Sequence, residues 1–170
     1  MSVARNMSLA ALRVLTRAGQ VRRGQEAAEV ARGIAEVRIK TESPQIGITS
    51  LSGGNQQKVV IAKALMTAPR MMLLDEPTRG IDIGAKSDIF STMARVARSG
   101  VGILFATSEL SEALNASTRL VIMARGRITA DLDPRTATRD QVMAATGEQI
   151  TSASDSTGSS DSSDPKDSQS

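Results

Sequence analysis

A short apolar run that ends in two carboxylates constrains this chain more than any other feature of its sequence. Residues 71–74 read Met-Met-Leu-Leu, and Asp75 and Glu76 follow directly. A continuous apolar run of this length is typical of a strand buried on both faces of a parallel sheet. In open α/β sheets, ligands bind beyond the carboxyl ends of the strands. The two carboxylates therefore mark a candidate site in an α/β protein.

The segments around this strand alternate between helical and strand patterns. Apolar spacing predicts helices over about 25–40, 52–67, 84–98, 109–115 and 139–145, and strands over 101–106, 119–123 and 128–130. Asn6 is a suitable N-cap for an earlier helix that would extend to about Ala18. Alternation of strands and helices predicts an α/β sheet with crossover connections.

Composition excludes several kinds of site. The chain has no Cys and no His, which rules out disulfides, thiolate or histidine metal sites, and nucleophile–histidine pairs. The only aromatic residues are Phe90 and Phe105, so the core must be aliphatic and Met-rich. The net charge is +3, but the basic residues are scattered without interleaved aromatics, so we expect no nucleic-acid partner.

The last twenty residues differ in composition from the rest of the chain. Residues 151–170 contain nine Ser and four Asp and no large apolar side chain. Such a segment cannot bury enough surface to offset the entropy of ordering. We expect it to be a disordered, dispensable tail.

A second motif opens the helix predicted from residue 52. Ser52, Gly53 and Gly54 stand at its start, where glycines let an anion approach the backbone N–H groups closely and the helix dipole favours negative charge. The same three residues also suit a helix cap that binds nothing. The motif alone leaves both interpretations open.

The carboxylates themselves allow two interpretations. A carboxylate at the position of Asp75 suits Mg²⁺, directly or through water, and Glu76 could polarise an attacking water. Two carboxylates that only cap the end of a core strand and bind nothing would give the same sequence pattern. The turn that follows, which ends at Asp82, is ordinary when taken alone.

The order and spacing of the three motifs resemble those of the ABC ATPase family. Residues 51–57 are similar to the family's signature motif, 71–76 to its Walker B strand and 80–82 to its D-loop. The sequences of residues 55–58 and 75–86 are similar to those of the second nucleotide-binding domain of the ribose, galactose and xylose importers. The resemblance covers the chain from Met1 to about Gly147.

The resemblance implies a role for each motif residue. The phosphate-facing group would be Ser52, Gly53, Gly54, Asn55 and Gln56, with ATP and Mg²⁺ as cofactors. Asp75 would hold Mg²⁺ through water, Glu76 would be the catalytic base, and Asp82 would couple two domains. Ser108 occupies the position of the family's switch histidine, and a serine cannot carry a positive charge there.

One family element has no counterpart in the sequence. No Gly-x-x-x-x-Gly-Lys-Ser/Thr pattern, which cradles the phosphates in P-loop enzymes, occurs in the 170 residues. The resemblance then implies an α/β fold that is a partial ABC-type P-loop NTPase domain, lacking its N-terminal Walker A portion. We expect the isolated chain to be inactive as an ATPase and to bind MgATP very weakly.

The resemblance also implies an organisation and a function. Residues 1–50 would be a partial helical subdomain, 51–150 the C-terminal part of the ABC core, and 151–170 the tail. The chain would belong to an importer that couples ATP hydrolysis to monosaccharide uptake, as a peripheral component on the cytoplasmic side of the cell membrane. Its partners would be a first nucleotide-binding domain or full-length ATPase subunit, membrane permease subunits and, indirectly, a periplasmic or extracellular sugar-binding protein. The alternative is a non-catalytic remnant or interaction module that completes a partner's ATP site.

Overall fold

The computed structural model describes residues 1–17 and 20–147, and the predicted tail at 151–170 lies outside these residues. The chain divides into two compact units, Met1–Thr118 and Arg119–Ser170.

The first unit begins with short elements in place of one long helix. These are α1 (Val3–Ser8), a 3-10 turn (Leu9–Ala11), α2 (Leu12–Leu15) and an antiparallel pair of two-residue strands, β1 (Thr16–Arg17) and β2 (Gln20–Val21). The prediction of a helix that Asn6 caps and that extends to Ala18 is wrong. Ser2 is the N-cap, its Oγ accepting from the Arg5 N–H at 3.2 Å. The helical backbone ends at Thr16, which is extended at φ −104° and ψ 132°.

Two longer helices follow. They are α3 (Arg23–Val37) and α4 (Gly53–Leu65). Helix α3 ends three residues earlier than the pattern predicts, because Arg38 adopts the left-handed conformation with φ 55°. The loop between the helices is held to the start of α1, since Val3 N–H donates to the Ile46 carbonyl at 2.9 Å and Ala4 N–H to the Pro44 carbonyl at 2.8 Å.

The predicted strand–helix–strand crossover is present. Strand β3 (Met71–Asp75) leads through α5 (Ile83–Arg98) to β4 (Gly102–Ala106), and the unit closes with α6 (Leu110–Ala116). The two strands pair in parallel, in a register that runs from Met71 opposite Gly102 to Asp75 opposite Ala106. Both strands therefore end at the same edge, and this confirms the predicted α/β arrangement. The prediction that β3 is buried on both faces is wrong, because Met72 is buried on one face while Met71 and Leu73 are exposed on the other.

The core of this unit is aliphatic and Met-rich, as the composition requires. Its buried side chains come from four helices, one strand and the loop between α3 and α4: Val3 and Met7 on α1, Val30 and Val37 on α3, Ile39 and Leu51 in the loop, Val59, Ile61 and Ala62 on α4, Met72 on β3, and Ile89, Met93 and Val96 on α5. The two aromatic residues join α5 to β4, because Phe90 and Phe105 form an edge-to-face pair with ring centroids 5.8 Å apart.

The second unit contains an antiparallel hairpin and one helix. Strands β5 (Leu120–Ala124) and β6 (Arg127–Leu132) pair across the predicted turn at Gly126, and α7 (Arg139–Thr146) follows. Helix α7 begins with a capping box, in which Thr138 Oγ1 accepts from the Gln141 N–H and Gln141 Oε1 accepts from the Thr138 N–H. Across the described residues, no helix combines the length and the apolar character that a membrane crossing needs.

The close packing of α4 against α5 gives a first prediction. A Cβ built on Gly54 would lie 2.6 Å from the Ala85 Cβ, whereas a Cβ on Gly53 would meet nothing within 4 Å. Ala85 is short and fixed on its helix, so the backbone itself would have to move. We expect Gly54→Ala to lower the free energy of unfolding by roughly 1–3 kcal/mol, and Gly53→Ala to change it by less than about 1 kcal/mol.

Urea denaturation of the two variants measures this difference directly. Each variant adds one methyl group to the same helical turn, so Gly53→Ala is a matched control. Equal midpoints for Gly54→Ala and the unmodified chain would show that α4 and α5 are not packed as described.

Candidate functional site

The ends of β3 and β4 bring two of the predicted site residues together. Glu76 continues the pairing beyond β3, since its N–H donates to the Ala106 carbonyl at 2.9 Å. Two residues after Ala106, the Ser108 N–H donates to Glu76 Oε1 at 2.9 Å. The predicted base and the predicted switch position are thus joined through the backbone of Ser108.

Glu76 has an unusual backbone conformation for a residue with a side chain. Its φ of 45° lies in the left-handed region, which costs a non-glycine residue roughly 1–2 kcal/mol. Three hydrogen bonds hold it there, because its carbonyl also accepts from the Arg79 N–H at 3.1 Å. Strained residues of this kind cluster at functional sites, and in this conformation the Glu76 side chain contacts the loop after β4.

Asp75 is the last residue of β3 and its side chain is exposed. No group of three or more acidic, His or Cys residues suitable for a metal occurs in the parts of the chain that the structure describes. A single carboxylate fits Mg²⁺ well enough, because this ion is usually held by one or two carboxylates together with substrate phosphates and water. Asp75 therefore suits an ion that a nucleotide brings with it.

The second group of predicted residues lies at the start of α4. Ser52 is the N-cap residue, yet its side chain makes no capping hydrogen bond to the helix, and Gly53 is exposed. Asn55 instead uses both ends of its amide, donating to Ser52 Oγ at 3.0 Å and accepting from the Lys40 N–H at 2.8 Å. Gln56 donates to the Leu51 carbonyl at 2.8 Å. These contacts fix the loops around the helix start and leave its first N–H groups without a side-chain partner.

A cleft of about 380 Å³ lies beside this helix start. Its lining residues come from the α3–α4 loop, α4 and α5: Lys40, Ser52, Gly54, Asn55, Lys58, Gly84, Ala85 and Asp88. Lys58 is buried and its Nζ contacts Asp88 Oδ2 at 3.1 Å. The hydrogen bond from Lys58 and its charge lower the pKa of Asp88, so this carboxylate is ionised and the pair is formed at neutral pH.

Asp82, which the sequence predicts to couple two domains, stabilises the start of α5. It is the N-cap residue of α5, and its Oδ1 accepts from the Ala85 N–H at 2.9 Å. The turn before it approaches the start of α4, since a Cβ on Gly54 would lie 3.8 Å from Ile81 Cγ2. Within residues 1–17 and 20–147, no hydrogen bond joins the group around Ser52 to the Glu76–Ser108 pair. The structure thus describes two separate groups.

The sequence interpretation missed a cluster of polar residues around one buried carboxylate. Glu112 on α6 is only 7% exposed, and both of its carboxylate oxygens lie 2.8 Å from Thr78 Oγ1. Thr107 Oγ1 donates to Glu112 Oε2 at 2.8 Å and Lys86 Nζ to Oε1 at 3.0 Å. Lys86 also pairs with Glu109. We call these five residues the Glu112 cluster.

The charge state of the cluster follows from its hydrogen bonds. Burial acts to raise the pKa of Glu112, but the hydrogen bonds from Thr78, Thr107 and Lys86 and the charge of Lys86 outweigh it, so the pKa is lowered. The hydrogen bonds to Glu109 and Glu112 raise the pKa of Lys86. The one sequence signal that could have indicated the cluster is the i, i+3 spacing of Glu109 and Glu112 at the start of a predicted helix.

The lowered pKa predicts a pH-dependent contribution of Glu112 to stability. Because the folded-state pKa is below the unfolded one, the contribution is fully present above the unfolded value and is lost as pH falls through the folded value. We expect Glu112→Gln to lower the free energy of unfolding by roughly 1–3 kcal/mol at pH 7. The difference from the unmodified chain should shrink as the pH falls into the acid range.

Urea unfolding at neutral and acid pH measures the difference, with Glu29→Gln as the control. Glu29 forms an ion pair on the surface of α3, so its replacement should cost little at either pH. A loss for Glu112→Gln that is independent of pH would contradict the ionised, hydrogen-bonded state described here.

Comparison with known proteins agrees with this geometry. The family model described as ABC transporter matches residues 1–79. The xylose import ATP-binding protein XylG of Pseudomonas syringae pv. tomato is 43% identical over 145 residues, which cover 85% of this chain and 28% of that protein. The ribose import ATP-binding protein RbsA 2 of Streptomyces avermitilis is 43% identical over 145 residues, covering 85% of this chain and 29% of that one. The chain thus spans less than a third of the length of these relatives.

Solved structures show the same fold. An ATP-binding cassette of an ABC transporter, MJ1267, aligns with a TM-score of 0.68 and 23% identity over 78% of this chain and 55% of that one. The ATP-binding cassette MJ0796, in a post-hydrolysis dimer with ADP and Pi, aligns with a TM-score of 0.66 and 20% identity over 79% of this chain and 57% of that one. The match of residues 1–79 to the ABC transporter family model, the 43% identity to sugar import ATP-binding proteins over 85% of the chain and the fold of ATP-binding cassettes thus agree with one another.

Proposed function

We propose that this chain is an ATP-binding component of an importer that couples ATP hydrolysis to monosaccharide uptake. The observation that carries the proposal is the open start of α4. Ser52 leaves the first N–H groups of a 13-residue helix without a side-chain cap, and the space beside Gly53 is empty to 4 Å. Relatives that share 43% of its aligned residues are named as xylose and ribose import ATP-binding proteins.

The start of α4 suits the terminal phosphate of ATP. Unpaired N–H groups and the helix dipole attract an anion, and the absence of a side chain at Gly53 lets the phosphate reach the backbone. Asn55 holds Ser52 in place by donating to its Oγ. The Ser52 hydroxyl can then donate its own proton to a phosphate oxygen.

The carboxylate group suits the attack of water on a phosphate. Glu76 Oε1 accepts from the Ser108 N–H, which orients the carboxylate so that Oε2 can accept a proton from the attacking water. Asp75 would hold Mg²⁺ through water. When bound, that ion would neutralise charge on the phosphate oxygens.

The two groups need not serve the same nucleotide. The chain contains no Gly-x-x-x-x-Gly-Lys pattern, so another domain would hold the phosphates that face Ser52, Gly53 and Gly54. Ser108 at the switch position cannot carry a positive charge near neutral pH. We therefore infer that α4 completes the stronger site and that Asp75, Glu76 and Ser108 line the weaker one.

This assignment implies a set of partners. A first nucleotide-binding domain or a full-length ATPase subunit would supply the phosphate loop, and membrane permease subunits would receive the motion through the helical subdomain at 1–50. The core at 51–150 would place the chain at the cytoplasmic face of the membrane, with Asp82 coupling the two ATP-binding domains. A sugar-binding protein would act through the permease.

A second candidate function rests on the start of α4 alone. In this alternative the chain is a non-catalytic interaction module that completes a partner's ATP site through that helix. The two functions differ in whether Glu76 contributes to turnover at all. Both require the start of α4 to face a phosphate.

A chimera distinguishes these functions and tests the proposal. The 145 aligned residues of the xylose import ATP-binding protein are replaced by those of this chain, and Gly53→Asp and Glu76→Gln are introduced separately. Gly53→Asp places a carboxylate where a phosphate should sit, so charge repulsion should oppose closure. Glu76→Gln acts on a site that is already weak.

We expect Gly53→Asp to lower steady-state ATP turnover and xylose uptake at least about tenfold more than Glu76→Gln, roughly 1.4 kcal/mol in the barrier. Gly53→Ala is the control, because it adds volume without charge. Equal losses, or a larger loss for Glu76→Gln, would refute the asymmetric assignment. No loss for Glu76→Gln at all would favour the interaction module.

A further inference from the structure

We propose that Glu112 is a positioning residue that holds the loop carrying Ser108 against Glu76. This inference deepens the proposed function, on which it rests for its relevance to ATP turnover. The effect of Glu112 on the contact between Ser108 and Glu76 can be tested without a nucleotide. Glu112 lies on α6, outside the motifs to which the family resemblance assigns a role.

The Glu112 carboxylate bridges the two segments that flank the Glu76–Ser108 hydrogen bond. Thr78 lies two residues after Glu76 and is 1% exposed, with its Oγ1 2.8 Å from both carboxylate oxygens. Thr107 directly precedes Ser108 and donates to Glu112 Oε2 at 2.8 Å. One buried side chain therefore holds both the segment after β3 and the segment after β4.

The anchor at Thr107 is fixed from two sides. Its Oγ1 donates to Glu112 and accepts from the Glu109 N–H at 3.1 Å. The N–H of Ser108 follows Thr107 by one peptide unit, so rotation of the Thr107 backbone would carry it away from Glu76. Hydrogen bonds to an ionised acceptor are about twice as strong as neutral ones, so a carboxylate restrains this rotation better than a neutral acceptor would.

Lys86 keeps this buried acceptor charged. It contacts Glu112 Oε1 at 3.0 Å from the second turn of α5, and it pairs with Glu109 as well. A buried carboxylate without such a partner would carry a large desolvation cost. Glu112 therefore links α5, α6 and both loops at the end of the sheet. In the described residues of this unit, every buried polar side-chain atom has a hydrogen-bond partner.

The test uses the chemical shift of the Ser108 amide proton in the full chain, by NMR without nucleotide. A hydrogen bond to a carboxylate moves an amide proton downfield, and Glu76→Ala supplies the value without the acceptor. We expect Glu112→Ala to move the Ser108 signal most of the way to that value. Glu112→Gln, which keeps a side-chain acceptor oxygen, should restore part of the difference.

A second variant covers the case in which Glu112→Ala does not fold. Thr107→Val removes the link between the loop and Glu112, together with the hydrogen bond from the Glu109 N–H, while Thr78 and Lys86 still satisfy the carboxylate. It should shift the Ser108 signal in the same direction. Ile89→Val is the control, because it removes a methyl group from the core and lowers stability by about 0.5–1.5 kcal/mol without touching the Glu112 cluster.

A merely structural role makes a different prediction for these variants. In that case Glu112→Ala and Thr107→Val would lower stability as Ile89→Val does and leave the Ser108 signal at its original position, which would overturn the proposal. The two proposals can also fail separately. If the Ser108 signal shifts in Glu112→Ala and Thr107→Val but the chimera shows no ATP turnover, the positioning role is supported and the proposed function is refuted.

Discussion

The parallel pairing of β3 with β4 is the interaction on which the rest of the site depends. Its register places Asp75 opposite Ala106, and the Glu76 N–H extends the pairing by one more hydrogen bond to the Ala106 carbonyl. The segments that follow β3 and β4 then leave the sheet at the same edge. A shift of the register would separate Glu76 from Ser108 and would part Thr78 from Thr107.

Two costs accompany this arrangement, and hydrogen bonds offset each of them. Glu76 is held in a left-handed conformation, and the Glu112 carboxylate is buried. The buried carboxylate gives the loops after both strands a common, charged acceptor, while Lys86 supplies the opposite charge. The strain at Glu76 can persist because the surroundings leave its backbone little freedom.

The sequence was sufficient to predict the α/β fold and the position of each motif. The carboxylates follow a strand and the glycines open a helix, because both patterns depend on neighbouring residues alone. The burial of that strand on both faces was predicted wrongly, since Met71 and Leu73 are exposed. The first helix was predicted wrongly, since Ser2 and Asn6 are both good N-cap residues and the choice depends on the loop at Pro44 and Ile46. That loop is distant in sequence, so local pattern cannot include its effect.

The Glu112 cluster escaped prediction for the same reason. Thr78 and Glu112 are 34 residues apart in sequence, and each alone suits an exposed surface position. The contact exists only because the crossover returns the chain to the edge of β3. Residues that support a site from behind are thus harder to find from sequence than the motif residues in front.

The claim that α4 completes an ATP site held by another domain can be tested by association. The chain is mixed with the part of the xylose import ATP-binding protein that lies outside the 145 aligned residues, and the mixture is sedimented with and without MgATP. Our account predicts a complex that forms only with MgATP and that Gly53→Asp abolishes. A complex that forms equally well without nucleotide, or that Gly53→Asp leaves intact, would contradict it.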